Sequence, residues 1–404
     1  MIKQQNDFPA RLREAQKSLS SLPPPSADAQ ALSAELSARM TEAMAAAGGS
    51  LPFWKYMDMA LYEPGLGYYS AGSHKLGAQG DFVTAPEISV LFSRTLARVS
   101  QSVLGAVEKG EILEAGAGSG VMAATILMQL AADKALPGQY HILETSAELR
   151  QRQQQTIQDR APDLATRVHW CDRLPENFHG LILANELLDA LPAHRFMMEA
   201  GEPQELYAAY RDDHFIWQTQ TGNDRLISRV RQIEEENGRF TEGYISEILF
   251  AAEDWIQAAA KNLTSGMILL LDYGQTRSVY YHAQRDRGTL SCHYRHRMHD
   301  DPFYYPGLQD ITAHVDFTAI ADAALLAGLT VAGYTTQAHF LLGSGITDWL
   351  AHETDRLVQL DYSNQIKKLT LPQEMGETFK VMGLTKNCTA ALPGFMLQDM
   401  RDRL

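Results

Sequence analysis

The sequence predicts an α/β protein: a doubly wound, Rossmann-like parallel sheet with an N-terminal lid and an inserted subdomain. Three observations predict it. Short apolar runs bounded by Gly, Asp and Asn alternate with helical stretches, the rhythm of βαβ units. Right-handed crossovers between such units wind helices onto both faces of the sheet. Between the fourth and fifth apolar runs lies a segment too long for a simple crossover.

The elements follow in order. SLPPPSADAQ, Ser21 to Gln30, breaks any preceding helix. Ser26 then reads as the N-cap of an Ala-rich helix running to about Ala47 and closed by Gly48 and Gly49. From Leu51 the texture turns aromatic and glycine-rich, and KLGAQGDFVTAPE is a loop leading to a helix from Glu87. Residues 1–50 are therefore expected as an extension with one helix, and 51–109 as a lid outside any regular sheet. The core is expected over 110–190 and 263–404. Its strands are EILEA, HILE, RVHWCD, Leu181 to Ala184 and Met267 to Leu271. Within the insertion, 191–262, RFMME, ELYAAYR and HFIWQTQ read as antiparallel strands, and IEEENGRF as an acidic helix.

Composition bounds the function. The chain has 404 residues, 45% hydrophobic and 21% charged, so disorder, a coiled coil and a disulfide scaffold fail as descriptions of the whole. Its net charge of −14, with no long Lys/Arg block, disfavours nucleic acid and anionic lipid as partners. Cys171, Cys292 and Cys388 are odd in number, far apart and without a C-x-x-C spacing, which fits a reducing compartment. MIKQQNDFPARLREAQ lacks the apolar core of a secretory signal, and no apolar run is long enough to cross a bilayer. The expectation is a soluble cytoplasmic protein without membrane insertion.

The turn after the first core strand selects the cofactor class. Glu114 opens E-x-G-x-G-x-G, with Gly116, Gly118 and Gly120 followed at once by a helix. Such glycines let backbone approach a ligand, and the helix start offers unpaired N–H groups. A dinucleotide fingerprint wants a glycine where Val121 stands, and no P-loop lysine follows. The pattern resembles motif I of class I S-adenosylmethionine-dependent methyltransferases. Glu144 ends the next strand, where a carboxylate can accept both hydrogen bonds of a ribose diol. Asp172 ends the third, where related methyltransferases contact adenine. The bland readings are a plain turn and solvated strand ends.

NELLDALP, Asn185 to Pro192, follows the fourth strand and projects from the carboxyl edge where open α/β sheets place ligands. Asn185 and Glu186 suit a nitrogen acceptor, because a carbonyl and a carboxylate hold N–H groups and aim the lone pair. An arginine acceptor strengthens the need, since its guanidinium must lose a proton as it reacts. Asp189 has two readings, a catalytic carboxylate and the cap of a following helix.

GYY at Gly67, G-D-F-x-T-x-P-E at Gly80, NELLDALP, LDYG at Leu271, RDRGTLSCHYRH at Arg285 and PGLQDITAHVDF at Pro306 together resemble the MidA-type methyltransferases. These are relatives of the mitochondrial complex I assembly factor that methylates an arginine. The resemblance covers about Pro52 to Leu342. It implies a class I methyltransferase fold, S-adenosyl-L-methionine as donor, and a protein arginine as acceptor, with a subunit of the respiratory NADH dehydrogenase as the family's substrate. The family's glycine loop maps onto Gly116, Gly118 and Gly120, its ribose acid onto Glu144, and its post-strand motif onto Asn185 to Pro192. Ala115 and Ala117 depart from the bulkier residue and Pro that relatives often carry. The resemblance also places Gly80, Asp81 and Thr84 on a lid loop at the methionine end of the cofactor; the alternative is an ordered Gly-Asp turn.

His293, His296 and His299 are discounted as metal ligands, because Arg295 and Arg297 interleave and strand alternation separates the imidazoles. No metal is expected. GITDWLAHETDRLVQL is amphipathic, read as core packing or a homodimer contact. The expected function is a methyltransferase acting on a protein nitrogen. Methylation of a small molecule, and a cofactor-binding assembly factor with little turnover, are the alternatives.

Overall fold

Seven strands carry the alternating apolar runs, in a computed structural model that describes residues 22–71 and 84–404. They are β1 (Glu111–Ala115), β2 (Tyr140–Leu143), β3 (Val168–Cys171), β4 (Phe178–Asn185), β5 (Leu263–Gln275), β6 (Thr330–Thr336) and β7 (Phe379–Lys386). Their spatial order is 6-7-5-4-1-2-3, with Val315–Asp316 adding a short parallel pairing on β5. β1 to β5 run parallel, whereas β7 is antiparallel to both β5 and β6. Met267 to Leu271 and Leu181 to Leu183 are fully buried. Such unbroken apolar strands are what a sheet covered on both faces requires.

The helices that cover it include α1 (Val90–Leu104), α2 (Val121–Ala132) and α3 (Ala147–Arg160). Leu91, Phe92 and Leu96 of α1 join Ile126, Leu127 and Leu130 of α2 in one core with Ile112, Leu181 and Leu269. Register lines up the carboxyl ends of the strands: Ala115 stands opposite Leu143 and Ala184, Leu143 opposite Cys171, and Asn185 opposite Leu271. The winding reverses between β1 and β4, the switch point at which such sheets bind ligands.

These strands and helices belong to one of two compact units, described residues 84–189, 252–276 and 315–404. The other gathers, among the described residues, 22–71, 190–251 and 277–314. In it, His194–Glu199, Glu202–Arg211 and His214–Thr221 form the expected antiparallel meander, followed by the helix Asp224–Asn237. Ser26 caps the helix Ala27–Ala46 as its sequence predicts, accepting from the Ala29 N–H.

The boundaries differ from those expected. Ser50–Pro52 pairs with Glu202–Arg211, setting Leu51 opposite Ala208, so the segment expected as a lid contributes to a regular sheet. Three residues are too few to show a period of two. α1, expected in the same lid, packs instead into the core of the seven-stranded unit, because Leu91, Phe92, Leu96, Val99 and Val103 make one buried stripe. Residues 277–314, expected with the core, pack with the insertion. They include a small sheet of Ser291–Tyr294, Arg297–His299 and Asp310–Thr312.

Candidate active site

β1 delivers the chain into the glycine turn. Gly116, Gly118 and Gly120 all take positive φ, 69°, 53° and 82°, which side chains with a Cβ rarely adopt. Gly120 is the N-cap of α2 and brings no side chain to the helix start. The Val121 N–H donates to Ser119 Oγ at 3.4 Å, and the first-turn N–H groups after it make an anion-seeking, polar end. Ser119 Oγ donates to the carboxylate of Glu87, which ties the end of GDFVTAPE to the loop. Thr84 stands at the N-cap of the helix Ala85–Ile88. Gly80 and Asp81 lie outside the described residues.

Glu114 is buried beneath the loop. Its Oε2 accepts from Tyr140 Oη at 2.5 Å, while Oε1 has no hydrogen-bond partner. Burial raises its pKa to about 7, against the lowering effect of the Tyr140 bond.

Glu144, at the end of β2, is buried and held at both oxygens. Oε1 accepts from the Ser146 N–H at 2.9 Å, and Oε2 from Gln153 Nε2 at 3.0 Å. Burial raises its pKa, and these hydrogen bonds together with Arg150 oppose the rise. Arg150 fastens two strand ends, donating to the carbonyls of Glu144 at 2.6 Å and Cys171 at 3.0 Å. It also pairs with Asp172, whose side chain is 84% exposed. Gly116, Glu144 and Asp172 thus lie at the carboxyl ends of three adjacent strands, as the sequence predicts.

The chain after β4 does not enter a helix. It makes a tight turn, so the helix-cap reading of Asp189 falls. Glu186 takes φ +52°, unusual for a residue with a side chain, and its N–H donates to Leu271 O at 2.9 Å. Asn185 Nδ2 donates to Glu186 Oε1 at 3.1 Å, and Asn185 Oδ1 is buried without a hydrogen-bond partner. Beneath the turn sits Asp272 of β5, 1% exposed. It accepts from the N–H groups of Leu188 at 2.8 Å, Asp189 at 3.4 Å and Tyr273 at 2.8 Å. Burial raises its pKa to about 7 despite these donors. Asn185, Glu186 and Asp189 are brought together, and a carboxylate that only the tertiary structure reveals holds their turn.

Asp272 and Glu87 sit inside motifs whose resemblance was visible, LDYG and GDFVTAPE. Gln153 had a fainter signal: it lies four residues after Leu149 and four before Ile157, on one helical face. The histidines sit in a hairpin whose turn, Arg295 and His296, is left-handed. Among the described residues no group of three or more His, Cys, Asp or Glu could hold a metal.

A nucleoside cofactor with a polar tail fits this edge. Three left-handed glycines clear the approach, the first turn of α2 supplies N–H groups, and Glu144 is held with its carboxylate oriented. A seven-stranded sheet with an antiparallel last strand, bearing that site, defines a class I methyltransferase. A family of S-adenosyl-L-methionine-dependent methyltransferases matches residues 92–335. The chain belongs to this family, of the MidA type, and its methyl donor is S-adenosyl-L-methionine. A crystal structure from Burkholderia thailandensis, bound to S-adenosyl-homocysteine, is 43% identical with a TM-score of 0.91, covering 95% of this chain and all of that one. The mitochondrial protein arginine methyltransferase NDUFAF7 of Danio rerio is 28% identical, over 85% of this chain and 86% of its own. Its Drosophila melanogaster homologue is 26% identical, over 85% and 83%.

These relatives are named mitochondrial, which overturns the expected cytoplasmic location. Sparse cysteines indicate only a reducing compartment and do not say which one. No helix among the described residues is long and apolar enough to cross a membrane.

Proposed function

We propose that this methyltransferase modifies a nitrogen of a protein substrate, the guanidinium of an arginine, at the turn carrying Asn185, Glu186 and Asp189. One observation carries the proposal: Asn185 Oδ1 is a buried acceptor without a partner, next to the Glu186 carboxylate. Leaving such an acceptor unmet costs about 1–3 kcal/mol, so the pair calls for a donor, and a planar fork of N–H groups suits it. The relatives named protein arginine methyltransferases support the same acceptor.

The cofactor, when bound at the glycine loop, supplies an electrophilic methyl group on a sulfonium. Gly116, Gly118, Gly120 and Glu144 would hold it, with Glu114 beneath the loop, Asp172 on the adenine side, and Thr84 at the methionine end. Asn185 and Glu186 orient the acceptor nitrogen, the Glu186 carboxylate takes its proton, and Asp189 supports the charge. The family resemblance makes a subunit of the respiratory NADH dehydrogenase the first acceptor to test. Purified protein with labelled donor and a lysate from a strain lacking it should add methyl groups that fragment spectra place on arginine. Label confined to small molecules would favour the alternative acceptor class.

Part of the amphipathic stretch expected at a homodimer contact is spent inside the protein, where Arg98 lies 4.0 Å over the Trp349 ring. Leu357 and Leu360 remain exposed at 78% and 58%, and we assign any contact with a second copy to them. Sedimentation velocity should then show a concentration-dependent dimer that Leu357→Glu removes.

A further inference from the structure

Gln153 carries no charge and lies in a glutamine-rich helix, yet it is fully buried and every polar group of its amide is engaged. Nε2 donates to Gly118 O at 3.1 Å and to Glu144 Oε2 at 3.0 Å, while Oε1 accepts from Trp170 Nε1 at 2.9 Å. The amide orientation is settled chemically. An indole N–H can only donate, so the oxygen must face Trp170, and the nitrogen must face the two acceptors. Gln153 thus ties together the glycine loop after β1, the carboxylate at the end of β2, and β3. Its backbone also presses on the loop, since a Cβ placed on Gly120 would stand 3.0 Å from Gln153 Cα.

We propose that Gln153 is a positioning residue for the methyl donor: it locks the Glu144 carboxylate, charged and correctly turned, toward the ribose diol while pinning the glycine loop at Gly118. The chemistry supports this division of labour. With Ser146 N–H on one oxygen and Gln153 on the other, the carboxylate is held against rotation, and each oxygen keeps further acceptor capacity for a ligand hydroxyl. Both donors favour the ionised form in a site whose burial opposes it. Without the amide, Glu144 would lose a donor and a fixed torsion together, and Gly118 O would lose its partner. The inference rests on Glu144 as the ribose acid, and the experiment separates the two claims.

S-adenosylhomocysteine and its 2′-deoxy analogue are titrated calorimetrically into the full chain, as wild type, Gln153→Met and Trp170→Phe. Gln153→Met approximates the volume without the hydrogen bonds. Trp170→Phe releases the amide from its other end and serves if the first variant folds poorly. The wild type should prefer the ribose diol by at least ~10-fold, the scale of a hydrogen bond to a charged group. In Gln153→Met the preference should collapse toward unity, and in Trp170→Phe it should fall part of the way. A merely structural role would weaken both ligands equally and keep the ratio, which overturns the proposal while leaving Glu144 in place. Equal affinities in the wild type would remove the ribose role of Glu144 and the proposal with it.

Discussion

Glu186 stands with φ +52° between a buried, unpartnered Asn185 carbonyl and a turn tied to β5. Strain of this kind, on the order of 1–3 kcal/mol, persists where surrounding bonds over-determine it. Here the Leu271 carbonyl and Asp272 do so. Glu186→Gln keeps the shape and removes the proton acceptor. It should cut transfer by ~10²-fold or more while calorimetric affinity for S-adenosyl-L-methionine stays within about twofold. Equal loss of both would end the catalytic reading. Glu114 yields a different prediction at the same scale. Its folded pKa of about 7 lies above the ordinary 4.5, so its stabilising contribution is complete below about pH 4.5 and is lost as pH rises through 7. Glu114→Gln mimics the neutral acid. It should reduce the loss of unfolding free energy between about pH 5 and pH 8 by on the order of 3 kcal/mol. Denaturant melts across that range read the slope, and an unchanged slope contradicts the assignment.

At the scale of elements, the site is a set of strand ends whose turns are held from neighbouring strands. Asp272 of β5 holds the turn after β4, and Arg150 of α3 clamps the ends of β2 and β3. Asp272→Ala leaves the Leu188 and Asp189 N–H groups without their acceptor and frees Glu186 to relax. The variant should lose about 2 kcal/mol of stability. Its turnover should fall at least ~10-fold, with S-adenosylhomocysteine affinity nearly unchanged because the glycine loop is untouched. Stopped transfer with equally weakened binding would show that the turn serves the donor instead. The strands were legible because a sheet covered on both faces writes unbroken apolar runs into the chain. The holding residues were not: Gln153 and Asp272 look like solvated polar residues until their burial and partners are known.

For the whole molecule, the described residues proposed to hold the donor all lie in one compact unit, and the stabilisation should be felt there. S-adenosylhomocysteine at about 100 times its Kd adds about 2.7 kcal/mol. Hydrogen exchange should slow at 115–121 and 143–153 and stay unchanged over 202–221 in the other unit. Protection spread evenly over both units would refute a donor site confined to the seven-stranded unit. By itself the sequence determined the donor class, the parallel strands and the two acidic constellations, because apolar period, glycine spacing and motif identity are local properties. Only the tertiary structure decided that β7 enters antiparallel between β5 and β6, that α1 belongs to the core, and that residues 277–314 join the insertion. It alone turned NELLDALP into a strained turn over a buried carboxylate and made one glutamine the link among three strand ends. Those facts depend on which distant groups share a buried space, and burial is what gives an ordinary polar side chain its partner and its strength.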